Sequence, residues 1–554
     1  RPVILEASMS EYDTLIRGAR VIDGTGNPWF KADVAMSGDR IAAVAPPGSI
    51  RPENCREMVD ATGLVAAPGF IDIQSHAILP LLRDGRCLSK ITQGVTTEIM
   101  GEAWTPAPIG GRNTDPFKSS LFPSEVSAEW HERMQDWSRF SHWLEAVEEA
   151  GVSPNIGSFI GGGTIRSYAM GLEMRKATSD ELEVMCRVMA EAMEDGAFGP
   201  SYALIYPPDS YTDTAELTEV SRVAARYGGI YITHMRSESH SIYEALEEAL
   251  KIGRDAELPV EIYHLKASHP GSWWKMPSVI DRITRARADG QDVTADMYPY
   301  AGSGTGLTAV LPTWTAADGK LYDNLADAGV RKRIRAALDG SGPGGDGLGL
   351  ETQGGPAGII PVGFRLPEHQ QYVGKRLSEI AEMRSQDWID AMLDVLVAEK
   401  QRISTIYFSM DEDNLRLQVQ QPWIKFSTDA GGFDPAWARQ MGPYHPRAYG
   451  TYPRVLRKYV REERLLSLEE AVRKSSSAVA NRLGIRDRGQ LREGFLADVI
   501  LFDAASITDH ATFDEPHQLS TGVHDVWVNG TRVLRNSQHT GATPGRFVRG
   551  PGAG

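Results

Sequence analysis

Cysteine is scarce: only Cys55, Cys87 and Cys186 occur in 554 residues. Three such scattered thiols exclude a disulfide framework and a cysteine-only zinc cluster, and a reducing compartment fits best. No stretch approaches the roughly 18 to 20 uninterrupted apolar residues needed to cross a bilayer, and residues 1–8 lack the apolar run of a secretory signal. Positive charge is in deficit, since 58 Lys plus Arg against 73 Asp plus Glu give 58 − 73 = −15. That balance argues against polyanion binding, and so against nucleic acid as a partner. The chain reads as cytoplasmic, with Met9-Ser10 as a natural start and residues 1–8 either as a cloning remnant or as an extension before it.

What is present supports a large core. With 41% hydrophobic and 24% charged positions the chain is globular, and its length suits about three or four units of roughly 150 residues, or one large α/β barrel with additions. The segments Thr14 to Arg17, Arg20 to Ile22, Ala32 to Met36 and Arg40 to Val44, parted by Gly and Asp-Gly turns, predict small strands and hairpins. The same texture returns at Ala497 to Phe502, Val523 to Val528 and Thr531 to Leu534, with the turn Asn529-Gly530 between the last two. The two ends are expected to build one β-domain together, from residues 9–66 and 486–554.

Between them, over 67–485, short apolar strands alternate with helical periodicity, the mark of repeated β-α units and a parallel sheet. One unit is especially legible: strand Ile230 to His234, helix Ser241 to Gly253 and strand Val260 to His264. A closed (β/α)8 barrel and an open doubly wound sheet share this local signature. Residues 310–420 break the rhythm and read as an insertion covering one mouth of the barrel, with a glycine-laden exposed loop at Gly340 to Gly358.

Polar residues ending apolar runs are the candidates for chemistry, because the C-terminal ends of barrel strands converge on one face. They are Gln74 and His76, His234, His264 and Asp429. Two imidazoles on neighbouring strands can share a divalent ion, and a nearby carboxylate can shuttle a proton, a combination suited to amide hydrolysis. Each has a plainer reading: a hydrogen-bonded histidine, or an Asx-turn at Asp429. His131, His142, His240, His369 and His517 lie in polar surroundings and are expected at the surface. Trp104, Trp273, Trp274, Trp314 and Trp437 fall in predicted loops, where some line an apolar substrate mouth and others pack the loops.

Several motifs, in order, resemble one known family. Pro68-Gly69-Phe70-Ile71-Asp72, Thr92-Gln93-Gly94-Val95-Thr96-Thr97, His234-Met235-Arg236, His264-Leu265-Lys266, Ala295-Asp296-Met297-Tyr298-Pro299-Tyr300, His445-Pro446-Arg447, Asp487-Arg488-Gly489 and Ala497-Asp498 look like the N-acyl-D-amino-acid deacylases (D-aminoacylases) of the metal-dependent amidohydrolase superfamily. The match runs from about Tyr12 to Arg549. It implies a distorted (β/α)8 barrel with a small β-sandwich from both termini, zinc bound by His234 and His264, and Asp429 as the catalytic carboxylate. Tyr206, Lys266, Tyr298 and Arg447 correspond to substrate-facing residues, and Arg236 is counted with them.

Two departures stand out. The superfamily's His-x-His is here Gln74-Ser75-His76; an amide oxygen is a poorer ligand than imidazole, so one tight metal site is expected rather than two, with His76 as a further ligand or as a group orienting water or substrate. Where D-aminoacylases have Gly-Asn-Cys-Gly, this chain has Gly101-Glu102-Ala103-Trp104. Glu102 either replaces the thiolate as third ligand or pairs with Arg236 or another cation. A carboxylate hardens the site, which keeps zinc first and admits Mn2+, Fe2+ or Co2+.

The expected function is metal-dependent hydrolysis of a linear amide in an N-acyl amino acid of D configuration or a related small molecule. A cyclic amide, carbamate or aryl amide is the alternative within hydrolases, and a non-catalytic small-molecule-binding barrel is the alternative of another class. The expected partner is a small-molecule substrate, with neither nucleic acid nor membrane; the sequence leaves a homo-oligomer open.

Overall fold

Among the residues described by the computed structural model, 11–118, 126–339 and 355–553, eight short parallel staves close into a barrel. They are Phe70–Asp72, Val95–Met100, Asn155–Ser158 continued by Ile160–Gly161, Pro200–Ala203, Tyr231–His234, Val260–Ile262, Val293–Met297 and Ile424–Phe426. Phe159 joins the two halves of the third stave, donating its N–H to Met100 O at 2.9 Å while Ile160 N bonds Gly199 O at 3.0 Å. The ring closes beyond its last stave, where Ser75 bridges Ala430 and Asp429 N donates to Gln74 O at 2.9 Å. The open-sheet alternative is thereby excluded.

The barrel buries both faces of the staves, and apolar residues alternate there with buried polar ones such as Asp72, Glu98, Glu261, Asp296 and Lys425. Ile71, Ile99 and Ile232 from three staves, with Tyr263 just beyond a fourth, pack with Val479, Ala480 and Leu483 of the helix Ser477–Leu483. Helix Ile242–Ala256 buries Ile242, Leu246, Ala249, Leu250 and Gly253 on one face, the stripe legible in its sequence. One buried charge cluster is an ion-paired triad. Lys90 Nζ lies 2.7 Å from Asp72 and 2.9 Å from Glu98, all three fully buried, and Asp72 also accepts Thr428 N at 2.9 Å. This triad ties the first two staves to the segment that carries Asp429.

Both ends of the chain feed one nine-stranded sheet. Val65–Pro68 pairs antiparallel with Val499–Phe502, residues from opposite ends of the sequence, over a core that includes Ile16, Val34, Leu501 and Trp527. The two segments expected at 14–17 and 20–22 are one strand, Tyr12–Val21, whose register shifts between Ile16 and Ala19. Gly18 there adopts φ +74°, the left-handed region open to glycine, so the break is a bulge and not a turn.

The insertion begins earlier than 310. Strand Ser303–Gly306 pairs with Ser404–Tyr407, which also pairs with Ile359–Pro361. The first of these is Ser-Gly-Thr-Gly and carries no apolar alternation, so its strand character comes from its partner. Helices Ala328–Leu338 and Trp388–Glu399 pack beside this sheet on a separate core with Leu307, Ile334, Leu393 and Tyr407. Of the expected glycine-rich loop, 340–354 lie outside the described residues, as do residues 1–10 with the expected start at Met9. Among the described residues no helix is long and apolar enough to cross a membrane.

Candidate metal centre and active site

The mouth at the C-terminal ends of the staves opens into a cavity of about 360 Å³. His234 closes its stave and points into the cavity. His264 follows the stave Val260–Ile262 by two residues, so the strand expected to run to 264 ends sooner. The cause is local: His264 sits at φ +31°, while Asp429 at φ +49° and Ala103 at φ +59° make similar turns around the same cavity. Non-glycine residues rarely adopt such backbone, and buried neighbours hold these three there.

Glu102 leaves the end of the stave Val95–Met100 and lies at the centre. Its Oε1 stands 3.5 Å from His234 Nδ1 and 3.7 Å from His264 Nε2, and the two imidazole rings meet edge to face with centroids 4.4 Å apart. These separations are too long for strong hydrogen bonds. They suit the edge of a tetrahedron around an ion with bonds of about 2.0 to 2.2 Å, an edge of roughly 3.4 Å. The three donors thus fit a divalent ion of zinc type, two imidazoles and one carboxylate with room for a further ligand. Glu102 does not pair with Arg236.

Behind the imidazoles stands Glu238, which sequence reasoning overlooked. Its Oε2 lies 3.1 Å from His234 Nε2 and its Oε1 lies 3.2 Å from His264 Nδ1. One buried carboxylate therefore faces the outer nitrogen of both candidate ligands, the arrangement that fixes tautomer and ring orientation. Lys266 Nζ, 2.7 Å from Glu238 Oε1 and also 2.7 Å from His264 Nδ1, completes the cluster. His264 Nδ1 therefore faces both the Glu238 carboxylate and the Lys266 ammonium, and which of them it bonds depends on its tautomer.

Asp429 stands on the other side of Glu102. Burial favours its neutral form, but the Arg447 guanidinium, with Nη1 2.7 Å from Oδ2, and the imidazoles of His264 and His76 outweigh it and hold the carboxyl at about 2. His76 Nε2 lies 2.8 Å from Asp429 Oδ1 and 3.4 Å from Glu102 Oε2. The surrounding protein lowers that imidazole, whose side chain is 41% exposed, yet its two carboxylate partners outweigh this and lift it to about 9. Gln74 Nε2 donates to Glu102 Oε2 at 2.6 Å.

Tyr206, Lys266, Tyr298 and Arg447 all line the cavity. Burial first, with the field of nearby carboxylates, pushes Tyr206 up to about 12, so it remains a phenol, bonded to Thr305 Oγ1. Arg447 lies over the Tyr298 ring at 4.6 Å, bonds Gly304 O through Nη2 at 3.0 Å and has a buried Nε with no partner. Arg402, Thr405 and Val362 of the insertion form part of the wall, and Ile78, Leu79, Trp104, Ile205 and Phe433 make another part apolar.

Other expectations are corrected. Arg236 lies outside the lining: the chain turns after His234 and sends its guanidinium to Glu248 at 2.9 Å and to the carbonyls of Ser210 and Thr212. His369 is buried against Glu399 at 2.8 Å, and His517 is half-buried on Tyr449 OH. Of the five tryptophans only Trp104 reaches the cavity; Trp273 bonds Ser409 O, Trp314 stacks under Arg333, Trp437 packs on Arg83 and Trp274 is exposed.

The sequence profile of the amidohydrolase family matches residues 57–534. A D-aminoacylase of Alcaligenes xylosoxydans xylosoxydans is 33% identical over 543 residues, 98% of this chain and 99% of its own. A solved D-aminoacylase, described for a binuclear metal centre with one-metal activation and second-metal attenuation, superposes with a TM-score of 0.79 at 32% identity, over 97% of this chain and 100% of its own. An N-acyl-D-glutamate deacylase of Bordetella bronchiseptica, solved with zinc and a phosphonate mimic of the tetrahedral intermediate, gives a TM-score of 0.79 at 28% identity, over 97% and 99%. The chain belongs to the amidohydrolase family, in its D-aminoacylase group, and is a metal-dependent hydrolase.

Proposed function

We propose that this enzyme hydrolyses the linear amide of an N-acyl-D-amino acid. The observation that carries the reading is the convergence, in one cavity, of the donor set Glu102, His234 and His264 with the ionised Asp429 and the cations Arg447 and Lys266. The D configuration is taken from the D-aminoacylase and N-acyl-D-glutamate deacylase relatives.

Glu102, His234 and His264 would hold a divalent ion such as zinc, which when bound would supply Lewis acidity for carbonyl activation. Asp429, kept as a carboxylate by Arg447 and His76, accepts a proton from the attacking water and returns it to the leaving amine. Arg447 and Lys266, both lining the cavity, supply positive charge for the substrate carboxylate. Tyr206, still protonated at neutral pH, is a donor for the developing oxyanion. The insertion wall around Thr305 and Arg402 shields these groups from bulk water.

The test is turnover of zinc-loaded protein on N-acetyl-D-amino acids, their L forms and cyclic amides. Release of free amino acid from D substrates is expected. No hydrolysis of any N-acyl amino acid refutes the reading.

A further inference from the structure

A second group of possible donors lies across Glu102 from the first: His76 Nε2, Glu102 Oε2 and Asp429 Oδ1. Each of these atoms is already engaged. His76 Nε2 and Asp429 Oδ1 are 2.8 Å apart, the length of a hydrogen bond rather than of two ligands around a tetrahedral ion. Glu102 Oε2 accepts the Gln74 amide at 2.6 Å. The opposite orientation of that amide would set two oxygens 2.6 Å apart with no proton between them, so the carboxylate fixes which end faces it.

Gln74 is itself immobilised. It is 1% exposed, its carbonyl receives Asp429 N, and its Oε1 lies 3.5 Å from the Ser427 hydroxyl. Burial and the Ser427 hydroxyl confine its side chain, which keeps the amide against Glu102.

We infer that Gln74 restricts this enzyme to a single ion, by committing Glu102 Oε2 to an amide N–H and leaving His76 bonded to Asp429. This inference rests on the reading of Glu102, His234 and His264 as metal ligands. It follows that excess zinc does not attenuate this enzyme, unlike the D-aminoacylase described by one-metal activation and second-metal attenuation.

The experiment strips the full-length protein with a chelator, titrates it with zinc alone by calorimetry and counts zinc per chain by elemental analysis, for wild type, Gln74→His and Gln74→Ala. Wild type should take up one ion per chain, and its turnover should stay flat through excess zinc. Gln74→His should bind a second ion on the order of 10- to 100-fold more tightly than wild type does, with turnover falling as that ion binds. Gln74→Ala, which frees Glu102 without adding a ligand, should show a weaker second ion and serves if the histidine variant does not fold. Two tight ions on wild type, or one ion on both variants, overturns the inference while leaving Glu102, His234 and His264 as ligands. No zinc on wild type overturns both.

Discussion

Replacing Glu238 by glutamine keeps size and burial while removing one acceptor. The carboxylate presents two oxygens, at 3.1 Å from His234 Nε2 and 3.2 Å from His264 Nδ1, with Lys266 Nζ at 2.7 Å. An amide has one oxygen, so its NH2 must face an imidazole N–H or an ammonium. One candidate ligand then loses the group that fixes its tautomer, and Lys266 loses its ion-pair partner. Changes of this kind typically weaken metal binding 10- to 100-fold, equivalent to about 1.4 to 2.7 kcal/mol. Competition of Glu238→Gln against a chelator of known zinc affinity measures this directly. Glu238→Asp, which keeps the charge but shortens the reach, should fall between wild type and the glutamine variant. Zinc affinity within a factor of two of wild type in Glu238→Gln would refute the claim that this carboxylate orients both ligands.

Asp429→Asn should lower kcat by on the order of 10²- to 10⁴-fold while one zinc per chain is retained; elemental analysis beside kinetics checks both halves, and unchanged turnover removes Asp429 from proton transfer. Burial and Lys266 act to lower the His264 pKa, but Glu238, Asp429 and Glu102 lift it to about 10 in the metal-free site. Zinc at its Nε2 must therefore displace a proton below that pH, so apparent zinc affinity should rise about tenfold per pH unit between pH 6 and 9; a pH-independent affinity contradicts this. Lys90→Met strands the buried carboxylates of Asp72 and Glu98 and should destabilise the fold by about 3 to 5 kcal/mol, visible as a lower denaturant midpoint; an unchanged midpoint would show the triad contributes nothing.

Much of this was legible in the sequence because it is local. Alternating β and α segments imply parallel pairing, and strand-terminal residues of a barrel share one mouth, which is why His234, His264 and Asp429 could be placed together before any coordinates. The partners of those residues come from elsewhere. Glu238 follows His234 by four residues in a loop, where an acidic residue between Ser237 and Ser239 looks like solvated surface. Only the fold brings His264, thirty residues after His234, against its other oxygen. Arg236 misled for the opposite reason: in an extended strand it would share the face of His234, but the strand stops at His234. His369 sits in the polar run Glu368-His369-Gln370-Gln371, and its burial depends on Glu399, thirty residues away. Strand ends were overestimated where backbone turns at His264 and underestimated at Gly18, since positive φ leaves no mark on hydrophobic periodicity.

The central claim is that Glu102, His234 and His264 grip one divalent ion. Anomalous diffraction at the zinc edge from crystals of zinc-loaded protein tests it most directly. One peak about 2.0 to 2.2 Å from Glu102 Oε1, His234 Nδ1 and His264 Nε2 is the predicted result; zinc bound elsewhere, or no peak among these three side chains, would contradict it.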